Sequence, residues 1–202
     1  MDLWTVGVTI LIAATAFLVL TEVAKRLYVG QLSQLLEQGS VHEYLATLDK
    51  PIVKLIFPLW NRLFMQFNGY LALDDYTHAD RVAARLLGMR QSAAQRREIV
   101  GKAFNYYLER GNARGAEDLL HEIEGWDDAE AVENARMMFD IYIRHGWSYI
   151  DEMEARLPGL SGVDRGLLEL LLAVQYENKG DAATSERYLK SSGRHMAMPT
   201  EG

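Results

Sequence analysis

The 202-residue chain is 49% apolar, 24% charged and 10% aromatic, with a formal net charge of −7; it can bury a core, and wholesale disorder is excluded. Cysteine is absent, which removes disulfide scaffolds, Cys-rich zinc sites and thiol catalysis. The negative charge opposes phosphate backbones and no basic stretch interleaves aromatics, so nucleic acid is not expected as a partner.

In chain order, the first element is the run LWTVGVTILIAATAFLVL, Leu3 to Leu20, which contains no Asp, Glu, Lys or Arg. As a helix it rises about 27 Å at 1.5 Å per residue, close to the hydrocarbon thickness of a bilayer. Trp4 stands at one edge, and Lys25, Arg26 and Tyr28 at the other, as expected of residues that favour the headgroup region. A core helix usually keeps a polar stripe, which this run lacks, and a secretory signal needs a preceding positive region, where the chain has only Met1 and Asp2. Residues 1–27 are therefore expected to be a single-pass membrane anchor. With the cations on the C-terminal flank, the rest of the chain is expected on the cytoplasmic face of the cell membrane.

The stretch PIVKLIFPLWNRLFMQFNGYL is the next most apolar. Lys54, Asn61 and Arg62 oppose a second span, and Pro58 should interrupt a helix through it. Three uses compete: a covered first helix of a hairpin, which is favoured, an amphipathic surface on the bilayer, or a self-association face.

From residue 28 onward apolar positions recur at helical spacing, as in AFNYYLERGNARGAEDLLHEI. An internal period is also present. QFNGYLALDDYTHADRVAARL, KAFNYYLERGNARGAEDLLHEI, MMFDIYIRHGWSYIDEMEARL and LLAVQYENKGDAATSERYL align on Tyr70, Tyr107, Tyr142 and Tyr176, each four residues before a turn at Asp74, Gly111, Gly146 or Gly180. These turns are 37, 35 and 34 residues apart, and Gly39, with Leu35 in place of Tyr, marks a weaker copy 35 residues before Asp74. The pattern predicts an all-α chain of antiparallel helical hairpins near 28–49, 51–88, 92–124, 128–157 and 161–191, each too short to bury its apolar face without a neighbour. Ser92 with Gln95, Asp127 and Asp128, and Ser161 with Asp164 read as helix starts. Residues 192–202 lack helical period and are expected to form a flexible tail.

On these residues the chain, from about 28 to 190, resembles the tetratricopeptide repeat family. The small or branched position opening each second helix falls on Ala79, Ala116 and, less faithfully, on Asp151 and Ser185, and the apolar position further along on Ala83, Leu120, Ala155 and Leu189. Where the family prefers Gly or Ala, three residues before each Tyr, the chain has Phe67, Phe104 and Phe139, with only Ala173 conforming; the family's early Trp and closing Pro are missing from their places. Each Phe is expected to push the paired helices apart or rotate them. The resemblance implies a tetratricopeptide-like α-solenoid whose concave surface binds a peptide or protein.

The function expected is therefore a membrane-anchored helical-repeat adaptor, with a structural or oligomerising subunit of a membrane complex as the alternative. By repeat position Asn68, Asn105 and Asp140 are groove candidates. Arg81, Arg85, Arg90, Arg96, Arg97 and Lys102, with only Glu98 among them, form a candidate patch for an acidic partner, whereas residues 117–133 are acidic without Lys or Arg; solvated helix faces are the plainer reading of both. Enzymatic activity is not expected, since no G-x-x-x-x-G-K-[ST], G-x-G-x-x-G or G-x-S-x-G occurs. No cofactor or metal is expected either. His42, His78, His121, His145 and His195 are dispersed, and His121 with Glu124 reads as an exposed polar pair rather than a ligand set.

Overall fold

In a computed structural model the backbone of residues 3–197 is described; the side chains of residues 3–14, 16, 17 and 19 lie outside the description. The chain is all-α, and among the described residues there is no strand. It divides into two compact units, Met1–Ile99 and Val100–Gly202.

The first unit begins with α1, Leu3–Glu37, one unbroken helix that carries both the apolar run and the first arm of the first hairpin. Among the described residues no helix is long and apolar enough to cross a membrane. Most side chains of the expected span, Leu3 to Leu20, lie outside those residues. After Gly39 the chain reverses into α2, Val41–Leu48, and then α3, Pro51–Ile56, both of which contact α1. Leu32, Tyr44, Leu48, Val53, Ile56 and Phe57 form their common core, with Ala24 and Tyr28 packed against it. Pro58 ends α3 as expected and serves as N-cap of α4, Leu59–Ala72, which pairs with α5, Tyr76–Gly88.

Phe67 is fully buried in α4, and the close approach falls two residues later, at Gly69. A Cβ there would lie 2.7 Å from Leu45 Cδ2 and 3.1 Å from Tyr44 Cε1, so glycine is what lets α2 lie against α4. Trp60 is also buried, and its indole N–H donates to Gln91 Oε1 at 2.6 Å while Gln91 Nε2 donates to the Leu86 carbonyl. The Arg96 guanidinium donates to the Leu87 carbonyl, so two side chains of the following loop and helix satisfy the open end of α5.

The unit boundary falls within α6, Ala93–Glu109. Its start is a reciprocal capping box: Ser92 Oγ accepts from the Gln95 N–H at 3.3 Å and Gln95 Oε1 accepts from the Ser92 N–H at 3.1 Å. In the second unit follow α7, Ala113–Ile123, α8, Ala129–Tyr142, α9, Ile150–Arg156, a single 3-10 turn at Leu157–Gly159, α10, Gly162–Asn178, and α11, Ala182–Ala197. Phe104, Phe139 and Ala173 are all buried, as is the cluster of Ile141, Ile150, Met153, Leu157, Leu168 and Leu172.

One turn chemistry closes most of the hairpins. Gly39, Asp74, Gly111 and Gly180 all have positive φ, from 53° to 85°. At each, the N–H of the following residue reaches back to a carbonyl five residues earlier: Ser40 to Leu35, Asp75 to Tyr70, Asn112 to Tyr107 and Asp181 to Tyr176, at 2.8–2.9 Å. This is the Schellman arrangement, and the recurring tyrosine is the residue whose carbonyl accepts its long bond. Three of those following residues also open the next helix, because Asp75, Asn112 and Asp181 side chains accept from the N–H groups of His78, Gly115 and Thr184.

Three sequence expectations need correction. The turn after α8 has its left-handed residue at His145, φ 56°, and not at Gly146; the Gly146 N–H bonds to the Asp140 carbonyl in a longer turn. Register then shifts in α9, where Ile150 and Met153 are buried and Asp151 and Ala155 are exposed. Ser161 is the N-cap of α10, where the sequence placed the helix start, but makes no side-chain cap bond, whereas Asp128 caps α8 by accepting from Ala131 N–H. Finally, α11 continues to Ala197 into the expected tail; Ser192 is buried, its hydroxyl donating to the Gly166 carbonyl at 2.7 Å. A helix with few apolar residues persists there because Gly166 allows Ser192 and Met196 to come close, as a Cβ on it would meet Met196 Cγ at 2.7 Å. Residues 198–202 of that tail lie outside the described residues.

Candidate functional site

Within the second unit the C-terminal ends of α6, α8 and α10 border an open groove of about 510 Å³. Each helix contributes the residues just before its turn: Leu108 and Glu109, Ile141 and Tyr142, Val174 and Glu177. Leu108 and Ile141 are buried beneath it, while Glu109 and Glu177 are exposed. Helix C-termini carry the negative end of the helix dipole, and two carboxylates on the rim add to it. Burial, together with the Glu109 charge, raises the Tyr142 hydroxyl pKa above the ordinary tyrosine value, which keeps it a neutral donor. An apolar bed with an anionic rim suits a long side chain ending in a cation, such as Lys or Arg.

Asn178 braces one wall. Its amide donates to the Ile141 carbonyl at 2.9 Å and to the Gly146 carbonyl at 3.0 Å, so α10 supplies the partners that the irregular end of α8 lacks. The nearby Glu154 ties three helices together, since the hydroxyls of Tyr176 and Tyr188 both donate to its Oε1 at 2.8 Å. Those bonds and burial push both tyrosines up to about 12.

At the other end of the α10 and α11 pair, Glu169 is buried and held by Arg165 Nε at 3.0 Å and His195 Nδ1 at 2.8 Å. Burial alone would raise its carboxyl, but hydrogen bonds from His195, Arg165 and Ser191 outweigh that and hold it below the usual carboxylate value. A buried glutamate so fully engaged is a structural clamp. A shallow depression beside Arg187, Lys190 and Arg194 lines α11.

The sequence candidates are dispersed. Asn68 is half-buried in the first unit, and among the described residues its Oδ1 has no hydrogen-bond partner. In the second unit Asn105 is exposed on α6, while Asp140 is half-buried with its carboxylate against Gly146, where any side chain would collide with it. None of the three borders the groove. Arg81, Arg85, Arg90 and Arg97 are exposed and Arg96 is half-buried in the first unit; Lys102 belongs to the second. His121 and Glu124 do meet, at 3.4 Å, but Arg136 takes the other carboxylate oxygen at 2.8 Å, and among the described residues no group of His, Cys, Asp or Glu is arranged to hold a metal ion.

Sequence reasoning missed the groove because it sought residues facing outward from the middle of each first helix. The signal was present in the turns themselves, where Glu109 and Glu177 directly or closely follow the recurring tyrosine. No family model, curated protein or solved structure matches the chain.

Proposed function

We propose that the chain is a membrane-anchored adaptor of tetratricopeptide-like hairpins that holds a basic segment of a protein partner at the cytoplasmic membrane surface. The observation that carries this reading is the groove at the ends of α6, α8 and α10, with its buried Leu108 and Ile141 and its exposed Glu109 and Glu177. Anchoring is supported by the uncharged run Leu3 to Leu20 and by the cations Lys25 and Arg26 that follow it. The solenoid reading is supported by the shared turn chemistry at Gly39, Asp74, Gly111 and Gly180.

The test is affinity capture from membranes with the full-length chain and two double variants. A partner retained by Arg96→Glu/Arg97→Glu and lost with Glu109→Lys/Glu177→Lys supports the groove. Equal capture by all three removes it, and self-association without any captured partner favours a structural subunit.

A further inference from the structure

We propose that α3 and its flanks lie on the bilayer surface, with Ile52, Leu55 and Leu59 set among the headgroups; this rests on the anchoring reading of Leu3 to Leu20. The structure divides the apolar stretch after Lys50 into two faces. Val53, Ile56, Phe57 and Trp60 turn inward and are buried, whereas Leu55 is 72% exposed, Ile52 43% and Leu59 40%. Ile52 and Leu55 are one helical turn apart and share a side of α3. On α1, Leu18, Leu20, Val23, Leu27, Val29 and Leu36 are exposed as well, so among the described residues four of the six exposed large apolar side chains of α1 fall between residues 18 and 27, at the end of the uncharged run.

Proximity to the run selects the occupant. Ala24 and Tyr28 pack on the same cluster as Val53, Ile56 and Phe57, which places α3 beside the part of α1 that leaves the run. Ala24 is about 6 Å beyond Leu20 along a helix, the outer edge of a headgroup layer of roughly 5–7 Å, and Tyr28 about 12 Å, so the contact with α3 begins at that edge. The reversal at Gly39 accounts for this, because α2 runs back along α1 and delivers Pro51 towards the level from which α1 rises.

Charge agrees. The two segments in contact carry Lys25, Arg26, Lys50 and Lys54 against Glu22 and Asp49; Glu22 pairs with Lys25 and Arg26, and Asp49 with Lys54 at 3.2 Å. The surplus is positive, in a chain whose net charge is −7. A cationic belt beside exposed Leu and Ile suits an anionic lipid surface. A second copy of the same face would set Lys50 and Lys54 against their equivalents.

The absence of native cysteine allows a clean test. The full-length chain, spin-labelled at Ile52→Cys, Leu55→Cys, the exposed α5 control Arg85→Cys, or Ala13→Cys within the run, is reconstituted in phosphatidylcholine–phosphatidylglycerol vesicles. Collision with oxygen relative to a water-soluble nickel chelate is then measured. The expected result is a several-fold higher ratio at positions 52 and 55 than at 85, reduced by Lys50→Glu/Lys54→Glu. Labels at 52 and 55 as open to the chelate as that at 85 overturn the proposal while an oxygen-rich label at 13 leaves the anchor standing. A chelate-exposed label at 13 overturns the anchor itself, and the docking with it. Dipolar broadening between labels at 55 that vanishes on dilution with unlabelled chain also overturns it, in favour of a second copy.

Discussion

Gly111 and Gly180 offer a test of the turn chemistry in which only the backbone is at stake. Their φ values are 63° and 85°, and a Cβ built on either meets no atom within 4 Å. Alanine there adds no clash, so the cost is the left-handed conformation, about 1–2 kcal/mol. Reduced freedom of the unfolded chain returns about 0.4–1 kcal/mol, leaving a net loss near 1 kcal/mol. Gly101 is the control, because it lies inside α6 in the same unit and also has open space for a Cβ. In a helix interior the same substitution is expected to stabilise by about 0.5–1 kcal/mol. Urea melts of the full-length protein in mild detergent, followed by far-UV circular dichroism, should thus show opposite signs for one chemical change. At about 4–8 °C per kcal/mol for a unit this size, thermal melts resolve the gap as well. His145→Gly should stabilise, since it relieves a positive φ of 56° in a residue that carries a Cβ. If Gly111→Ala and Gly180→Ala stabilise as Gly101→Ala does, the repeated Schellman turn is not what closes these hairpins.

Phe67→Ala removes a fully buried ring from α4 and is expected to cost about 3–5 kcal/mol, read as a lowered urea midpoint; a loss under about 1 kcal/mol would mean the ring is not core. Glu169 makes stability depend on acid: its folded pKa lies below the unfolded value, so its contribution is complete above about pH 4.3 and fades as pH falls through the folded value. Glu169→Gln should lower stability at neutral pH and flatten that acid limb, and an unchanged limb in urea midpoints against pH would refute the clamp. Glu154→Ala should bring Tyr176 and Tyr188 down from about 12 towards the ordinary tyrosine value, Tyr176 the more because the Glu154 hydrogen bond is its main cause. Ultraviolet titration of tyrosinate measures this, and an unshifted high-pH fraction would refute it.

Most turn positions were legible because they depend on local chemistry. Left-handed turns need Gly, or a residue such as Asp that tolerates the conformation, and four of the five predicted turn positions carry a positive φ. The fifth failed for a reason that is not local: His145 takes the turn, and the longer loop needs Asn178, 32 residues on, to bond the Gly146 carbonyl. No window around Gly146 contains that partner. The close approach at Gly69 was hidden in the same way, since its necessity lies in Leu45 and Tyr44 of another helix. α11 was read as ending early because Ser191, Ser192, Gly193 and Arg194 show no apolar period, yet that polar segment is held by polar bonds to Gly166 and Glu169. The groove was not legible, because it is made by elements distant in sequence and its lining follows from where helices end; Asn68, Asn105 and Asp140, chosen by repeat position, do not line it.

α1 has no break between residue 3 and residue 37. A tether of loose coil would let its cargo wander over a volume set by its length; a continuous helix is a mast. From Leu20 to Glu37 it rises about 26 Å, which fixes how far the turn of the first hairpin stands from the uncharged run. It also lacks a swivel. Rotating the run about its axis carries Leu32 and everything packed on it through the same angle, so whatever fixes the rotation of the run in its surroundings also chooses the compass direction in which the first unit faces.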